Sequence, residues 1–256
     1  MSFIMLYGRP GSGKTTLACS MTNLGYRIGL VDVDNKANEM ENLRARVESK
    51  DIIIYPITAK LINQNLEDRL KNMQKASSNI PIKQEEPQGY LDYCRLITSF
   101  EKMMQAGEPA PFDVLVCDCF TRLQEHMRRL IMFLNKREKF TFDEWDMWKT
   151  NIEEFVVAHQ RLQGLFKHVI LISHEQFERD ELIGKIEVVP MVDGSMKYKM
   201  AGYFTEVYHT FVEVKSNKAE YKVATKPLDR ADARTSRNLE IIENANFLTL
   251  FKEEKK

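Results

Sequence analysis

Gly8-Arg9-Pro10-Gly11-Ser12-Gly13-Lys14-Thr15, preceded by the apolar run Phe3-Ile4-Met5-Leu6-Tyr7 and followed by Thr16-Leu17-Ala18-Cys19-Ser20-Met21, fits G-x-x-x-x-G-K-[ST] at every required position. The pattern predicts a buried strand, a glycine turn and a helix. Glycine reaches positive φ without steric cost, so successive N–H groups can point into one concavity and wrap phosphate oxygens. The helix beginning at Lys14 adds its positive N-terminal end. Gly8, Arg9, Pro10, Gly11, Ser12, Gly13, Lys14, Thr15 and Thr16 are therefore the expected nucleotide contacts. Lys14 is expected to reach the β- and γ-phosphates of ATP, and the Thr15 hydroxyl to complete a Mg2+ shell.

Outward from the loop, apolar runs alternate with helical periodicity, as in a parallel α/β sheet. A helix over 14–24 closes at Gly25, and Arg27 to Val33 reads as a second strand ending in Asp32, Asp34 and Asn35. In doubly wound sheets the carboxyl ends of strands face the ligand crevice, which makes Asp34 a candidate to polarise an attacking water. Asp32 or Asp34 could equally start a turn or cap a helix over 37–47. Ile52 to Ile57 is a third strand, its Pro56 suited to an end or an edge. Residues 60–76 read as helical, 77–89 as a mobile loop that is either a substrate lid or a plain connection, and 90–106 as a helix closing at Gly107.

Phe112-Asp113-Val114-Leu115-Val116-Cys117-Asp118-Cys119 is an apolar strand ending in an acid, the arrangement in which a strand-terminal Asp holds the magnesium shell opposite the Thr of the phosphate loop. Asp118 is the candidate, with Thr121 either touching the nucleotide or capping the next helix. Residues 121–135 and 143–166 read as helices. The stripe of Trp145, Trp148, Ile152, Phe155, Val156 and Leu162 is expected in the core rather than on a base-stacking surface. His168 to Ile172 is a further strand, and His174 at its end is either a γ-phosphate sensor or a structural histidine.

The last third changes character. Val207 to Val214 and Ala219 to Thr225 form a predicted hairpin, followed by the basic polar segment 226–237, a stretch from 238 to 251 that packs back, and a frayed tail at 252–256. Lys197, Lys199, Lys215, Lys218, Lys222, Lys226, Arg230, Arg234 and Arg237 are interleaved with Tyr198, Tyr203, Tyr208 and Tyr221. Basic residues among aromatics suit single-stranded nucleic acid, although interspersed acids suit a solvated surface equally well. Arg234 or Arg237 could instead reach a neighbouring subunit's phosphate.

The 256 residues carry equal numbers of acidic and basic side chains, so net charge identifies no partner. No apolar run is long enough to span a bilayer, and nothing at the N-terminus reads as an export signal, so no membrane is expected and the location is read as cytoplasmic. Cys19, Cys94, Cys117 and Cys119 read as free thiols, and Cys117-Asp118-Cys119 lacks the spacing of a zinc site.

In this order the motifs resemble those of the RecA-like P-loop ATPases of bacteriophages, an AAA-type group related to phage single-strand annealing and recombination ATPases. The resemblance rests on Gly8 to Thr15, Asp34, the Asp118 strand, Ser173-His174-Glu175 and the hairpin with Thr225-Lys226-Pro227. It implies one domain over 1–256: a three-layer α/β fold with a mostly parallel sheet, helices on both faces and a C-terminal antiparallel hairpin. It also implies ATP and Mg2+ as cofactors, self-assembly into a homo-oligomer, action on single-stranded DNA in recombination or replication, and a host-cell cytoplasmic location if the protein is phage-encoded. The family pattern has a glutamate where Asp34 stands, which puts the water-activating role in question. Two other readings use the same loop: a nucleotide or metabolite kinase, although only Arg128-Arg129 hints at an arginine lid, and an assembly switch that binds ATP without hydrolysing it. Asn35-Lys36-Ala37-Asn38 lacks the final Asp of the guanine-reading motif, so a GTPase is not expected.

Overall fold

A computed structural model describes residues 1–57, 87–136, 139–179, 184 and 186–252. The helix expected over 60–76 and most of the 77–89 loop lie outside these residues, as do Arg137, Glu138 and the tail beyond Lys252. Gln88 and Gly89, expected in that loop, instead open a helix.

Among the described residues nine strands form the sheet: β1 (Ser2–Gly8), β2 (Ile28–Asp32), β3 (Ile52–Pro56), β4 (Val114–Asp118), β5 (His168–Arg179), β6 (Ile186–Pro190), β7 (Glu206–Lys215), β8 (Lys218–Ala224) and β9 (Ile242–Asn244). Their order is β3-β2-β4-β5-β1-β7-β8-β9, with β6 off this path and paired to β5. Pairs from β3 through β7 are parallel, and β7–β8, β8–β9 and β5–β6 are antiparallel. The expected mixed, mostly parallel sheet with an antiparallel C-terminal hairpin is therefore present, and Pro56 ends the edge strand β3.

Every residue of β1 is buried, because both faces of the sheet are covered and a strand so placed must be apolar throughout. Alternate side chains feed two cores. Phe3, Met5 and Tyr7 enter one with Leu115, Val169 and Leu171. That face is covered by α3 (Gln88–Gln105), α4 (Phe120–Leu134) and α5 (Phe142–Arg161), which contribute Tyr93, Phe100, Leu123, Trp148 and Phe155. Ile4 and Leu6 enter the other with Val116, Ile170 and Ile172, beneath α1 (Lys14–Cys19), α2 (Glu41–Glu48) and the short α7 (Phe247–Leu250). A one-turn α6 (Met196–Lys199) leads into β7.

The Trp stripe of α5 is core, as its spacing suggests, except that Trp145 is 41% exposed. Leu134 is 62% exposed because it is the last residue of α4. No helix among the described residues is long and apolar enough to cross a membrane.

Segment 226–237 is not a loose basic tail. Glu206, 1% exposed, accepts hydrogen bonds from Tyr208 Oη (2.8 Å), Thr235 Oγ1 (2.6 Å) and Ser236 Oγ (2.5 Å). Arg237 lies 4.0 Å from the same carboxylate and stacks its guanidinium 3.4 Å from the Phe251 ring centre. Arg234 donates to the carbonyls of Gly202 and Phe204. Both arginines are thus engaged within the chain. A buried carboxylate requires such donors, and the segment supplies them.

Candidate functional site

Register and strand order assemble the site at the carboxyl ends of the parallel strands. Gly8 of β1 lies opposite His174 of β5, and Asp32 of β2 opposite Asp118 of β4. Strand β5 separates β1 from β4, so Thr15, just past β1, must reach across its end to meet Asp118. It does so: Thr15 Oγ1 donates to Asp118 Oδ2 at 2.5 Å. These groups open onto a cavity of about 540 Å³, whose lining includes Pro10, Gly11, Gly13, Lys14, Thr15, Thr16, Asp34, Asp118 and His174.

Not every residue of the loop faces this space. Ser12 is 2% exposed and pairs its hydroxyl with Thr210 Oγ1 at 2.6 Å, while Gly8 packs against the Thr210 backbone. Arg9 Nε donates to Glu175 Oε1 at 2.9 Å and its guanidinium lies over Phe177. Those three residues hold the loop to β5 and β7, and Pro10, Gly11, Gly13, Lys14, Thr15 and Thr16 form the cradle. Gly13 has φ of +85°, and a Cβ there would stand 2.9 Å from the Tyr221 ring, so backbone conformation and the approach of β8 both require glycine.

Lys14, 6% exposed, donates from Nζ to the carbonyls of Gly8 (2.8 Å) and Arg9 (2.7 Å). Burial lowers its pKa, an effect opposed by Asp118, Cys119, Glu175 and Asp34. Its direct partners are neutral, so an anion entering the cradle gains a desolvated cation with little to displace. Burial, reinforced by Asp34 and Asp32, raises the Asp118 pKa to about 6 against the opposing pull of Thr15 and Lys14. Several acids crowded at one strand end in this way form a cation-attracting site.

Asp32 and Asp34 both line the cavity, and Asp32 takes the capping contact. Asp32, 3% exposed, accepts from the Ala37 N–H at 2.8 Å and caps the turn leading to α2. Asp34 faces the cavity and lies 3.5 Å from Arg122 Nε, 3.8 Å from Lys36 Nζ and 3.8 Å from Cys119 Sγ. His174 stands within β5 rather than at its end, because the strand runs on to Arg179 as a hairpin with β6. Burial and the nearby Lys14 lower its pKa, against the opposing pull of Asp34. Thr121 lies within α4 rather than capping it, and its hydroxyl accepts from the His174 backbone N–H at 2.9 Å.

Tyr221, Met40, Asn42, Lys36 and Ala245 also line the cavity. Tyr221 reads in sequence as part of a basic strand surface, and only the pairing of β7 with β1 swings β8 over the loop. Asn42 donates to Thr16 Oγ1 at 3.0 Å, a contact without a sequence signal.

A family model described as an AAA domain matches residues 2–237. No curated protein matches the chain. Among solved structures it is similar to the flagellar accessory protein FlaH from Methanocaldococcus jannaschii, at 12% identity and a TM-score of 0.44, covering 87% of this chain and 76% of that one. It is also similar to a KaiC-like protein from Pyrococcus horikoshii OT3, at 12% identity and a TM-score of 0.41, covering 93% and 80%.

Proposed function

The chain belongs to the AAA-domain family of P-loop ATPases, and from that premise we propose that it binds ATP with Mg2+ at the cavity beside Lys14 and hydrolyses it. The observation that carries the proposal is the 2.5 Å contact between Thr15 and Asp118, two hard oxygen donors converging from non-adjacent strands beside a buried, carbonyl-tethered lysine. Thr15 and Asp118 would hold Mg2+, which when bound offsets the charge developing on the transferred phosphoryl group. Lys14 exchanges its two carbonyl partners for phosphate oxygens. Asp34 orients the attacking water and receives its proton. His174, whose backbone N–H is fixed by Thr121, hydrogen-bonds the terminal phosphate through its ring and registers its loss. Tyr221 and Ala245 flank the part of the cavity away from Asp118 that suits the base.

Action on single-stranded DNA and self-assembly belong to the same proposal and rest on the family resemblance. Exposed Tyr198, Lys199, Lys218, Lys226 and Arg230 are the surface that would supply the DNA contact. Lys197, Lys215 and Lys222 are paired with Glu178, Glu213 and Glu220. Phosphate release from ATP, measured with and without Mg2+ and a single-stranded oligonucleotide, tests the whole. Absence of ATP binding overturns the site. Tight binding without turnover selects the assembly-switch reading, and turnover indifferent to the oligonucleotide removes DNA from the proposal. Phosphate transfer to an added nucleoside monophosphate selects the kinase reading.

A further inference from the structure

Asp34, Cys119 and His174 place one carboxylate oxygen, one thiol sulfur and one imidazole nitrogen within 4.8 Å of one another. The sulfur is 3.8 Å from Asp34 Oδ2 and 3.8 Å from His174 Nε2. In a tetrahedral zinc site, with Zn–S about 2.3 Å and Zn–N or Zn–O about 2.0 Å, neighbouring donors stand roughly 3.3–3.6 Å apart. The two sulfur pairs are therefore within a few tenths of an ångström of tetrahedral edges, and the third pair lies within 4.8 Å. The three atoms come from the loop after β2, the start of α4 and the middle of β5, so sequence spacing gives no hint of the set.

The donor set decides the ion. A sulfur, a nitrogen and a single carboxylate suit a borderline-soft divalent cation and not Mg2+, which takes oxygen ligands. Asp34 and His174 line the cavity, leaving a fourth position open to solvent or to a phosphate oxygen. The cations paired with Asp34 are Lys36 and Arg122, with side chains 72% and 49% exposed, and such open pairs yield readily to a directly bonded ion.

We propose that Asp34, Cys119 and His174 form a Zn2+ site which, when filled, withdraws Asp34 and His174 from the nucleotide and stops turnover. Binding expels the thiol proton to solvent and leaves a zinc-bound thiolate. The existence of the site is independent of the ATPase reading, and only the inhibition rests on it.

Cobalt titration of the nucleotide-free protein separates the two. Co2+ at these donors is expected to give a thiolate-to-metal charge-transfer band and the intense visible bands of tetrahedral cobalt, both bleached by one equivalent of Zn2+. Cys119→Ser should remove the charge-transfer band, and His174→Ala should weaken Zn2+ affinity about tenfold or more, since even second-shell losses cost that much. Circular dichroism checks that each variant is folded, and His174→Ala serves if Cys119→Ser does not fold. Turnover of the unmodified protein should then fall in step with zinc occupancy and recover on chelation. Weak octahedral cobalt bands, or a charge-transfer band that survives Cys119→Ser in folded protein, overturns the site. Filled zinc with unchanged turnover overturns the inhibition, and a protein that binds cobalt as expected but never hydrolyses ATP overturns the ATPase reading alone.

Discussion

Two cations held inside this protein are held in opposite ways. At the phosphate-loop end of the sheet, Lys14 is tethered by backbone carbonyls, with no direct carboxylate partner among the described residues. In segment 226–237, Arg237 sits against Glu206, a carboxylate already satisfied by Tyr208, Thr235 and Ser236, and its planar face is covered by Phe251. A carbonyl tether is neutral and can be exchanged for an anion, whereas a buried carboxylate partner leaves no net charge to offer. The difference separates a cation kept for a ligand from one kept for the fold. It also explains why a segment that reads as a basic, phosphate-seeking surface behaves as a strap across the end of β7.

The comparison breaks first at Lys14. Lys14→Ala should weaken ATP binding at least a hundredfold, about 2.7 kcal/mol, because it removes charge-assisted bonds to phosphate and leaves only carbonyls behind. Thermal stability should stay near that of the parent protein. Titration with a fluorescent ATP analogue beside a melting curve measures both, and retained affinity would mean that the tether is structural after all.

Arg237→Ala should do the reverse. Loss of one partner from a buried carboxylate costs 3–5 kcal/mol when nothing else solvates it. Here three hydroxyl donors remain on Glu206, so about 2 kcal/mol is expected, with ATP affinity unchanged. Denaturant unfolding gives the first quantity and nucleotide titration the second. A drop in ATP turnover without a drop in stability would restore Arg237 as a phosphate-reaching residue.

Tyr221 lies on the boundary between the two regions, since β8 belongs to the C-terminal hairpin but the ring rests over Gly13. It is half exposed and makes little contribution to the core. Tyr221→Ala is therefore expected to leave stability unchanged and to weaken ATP about tenfold through loss of stacking on the base. Equal weakening for inorganic triphosphate, which has no base, would show that the ring supports the loop instead.

The phosphate loop, the alternation of strands and helices and the acid at the end of β4 are legible because each is local: a turn that needs glycine, strands buried on both faces, a carboxylate where a strand stops. Tertiary placement is not. Tyr221 and Asn42 reach the cavity only through sheet order and the turn after β2. The Asp34–Cys119–His174 cluster joins three elements that nothing in their spacing connects. His174 reads as a strand end because the apolar run stops at Ile172, yet β5 continues by pairing with β6, where polar residues such as Gln176 and Glu178 suit a hairpin beyond the core. The basic character of 226–237 is visible in sequence, but the burial of Glu206 that makes use of it is not, since an acid opening a strand is ordinarily exposed.

The finest test of the comparison is pH, because Asp118 and Glu206 are both enclosed carboxylates with different donors. Asp118 has one hydroxyl donor, Thr15, and two neighbouring acids, and burial with that crowding raises its pKa to about 6. Between the ordinary value of 3.8 and about 6 the folded, ligand-free protein holds a proton that the unfolded chain has released. This group's contribution to stability is therefore greatest at low pH and declines as pH rises through that window. The same proton must leave before the carboxylate can serve Mg2+. Apparent Mg2+ affinity in the ATP complex should accordingly be level above about pH 7 and fall about fourfold by pH 5.5, following the ionised fraction of one group. Calorimetric titration at the two pH values measures it, with Asp118→Asn as the control that binds Mg2+ weakly and without this pH dependence. A wild-type affinity equal at both values would mean that Asp118 is ionised throughout.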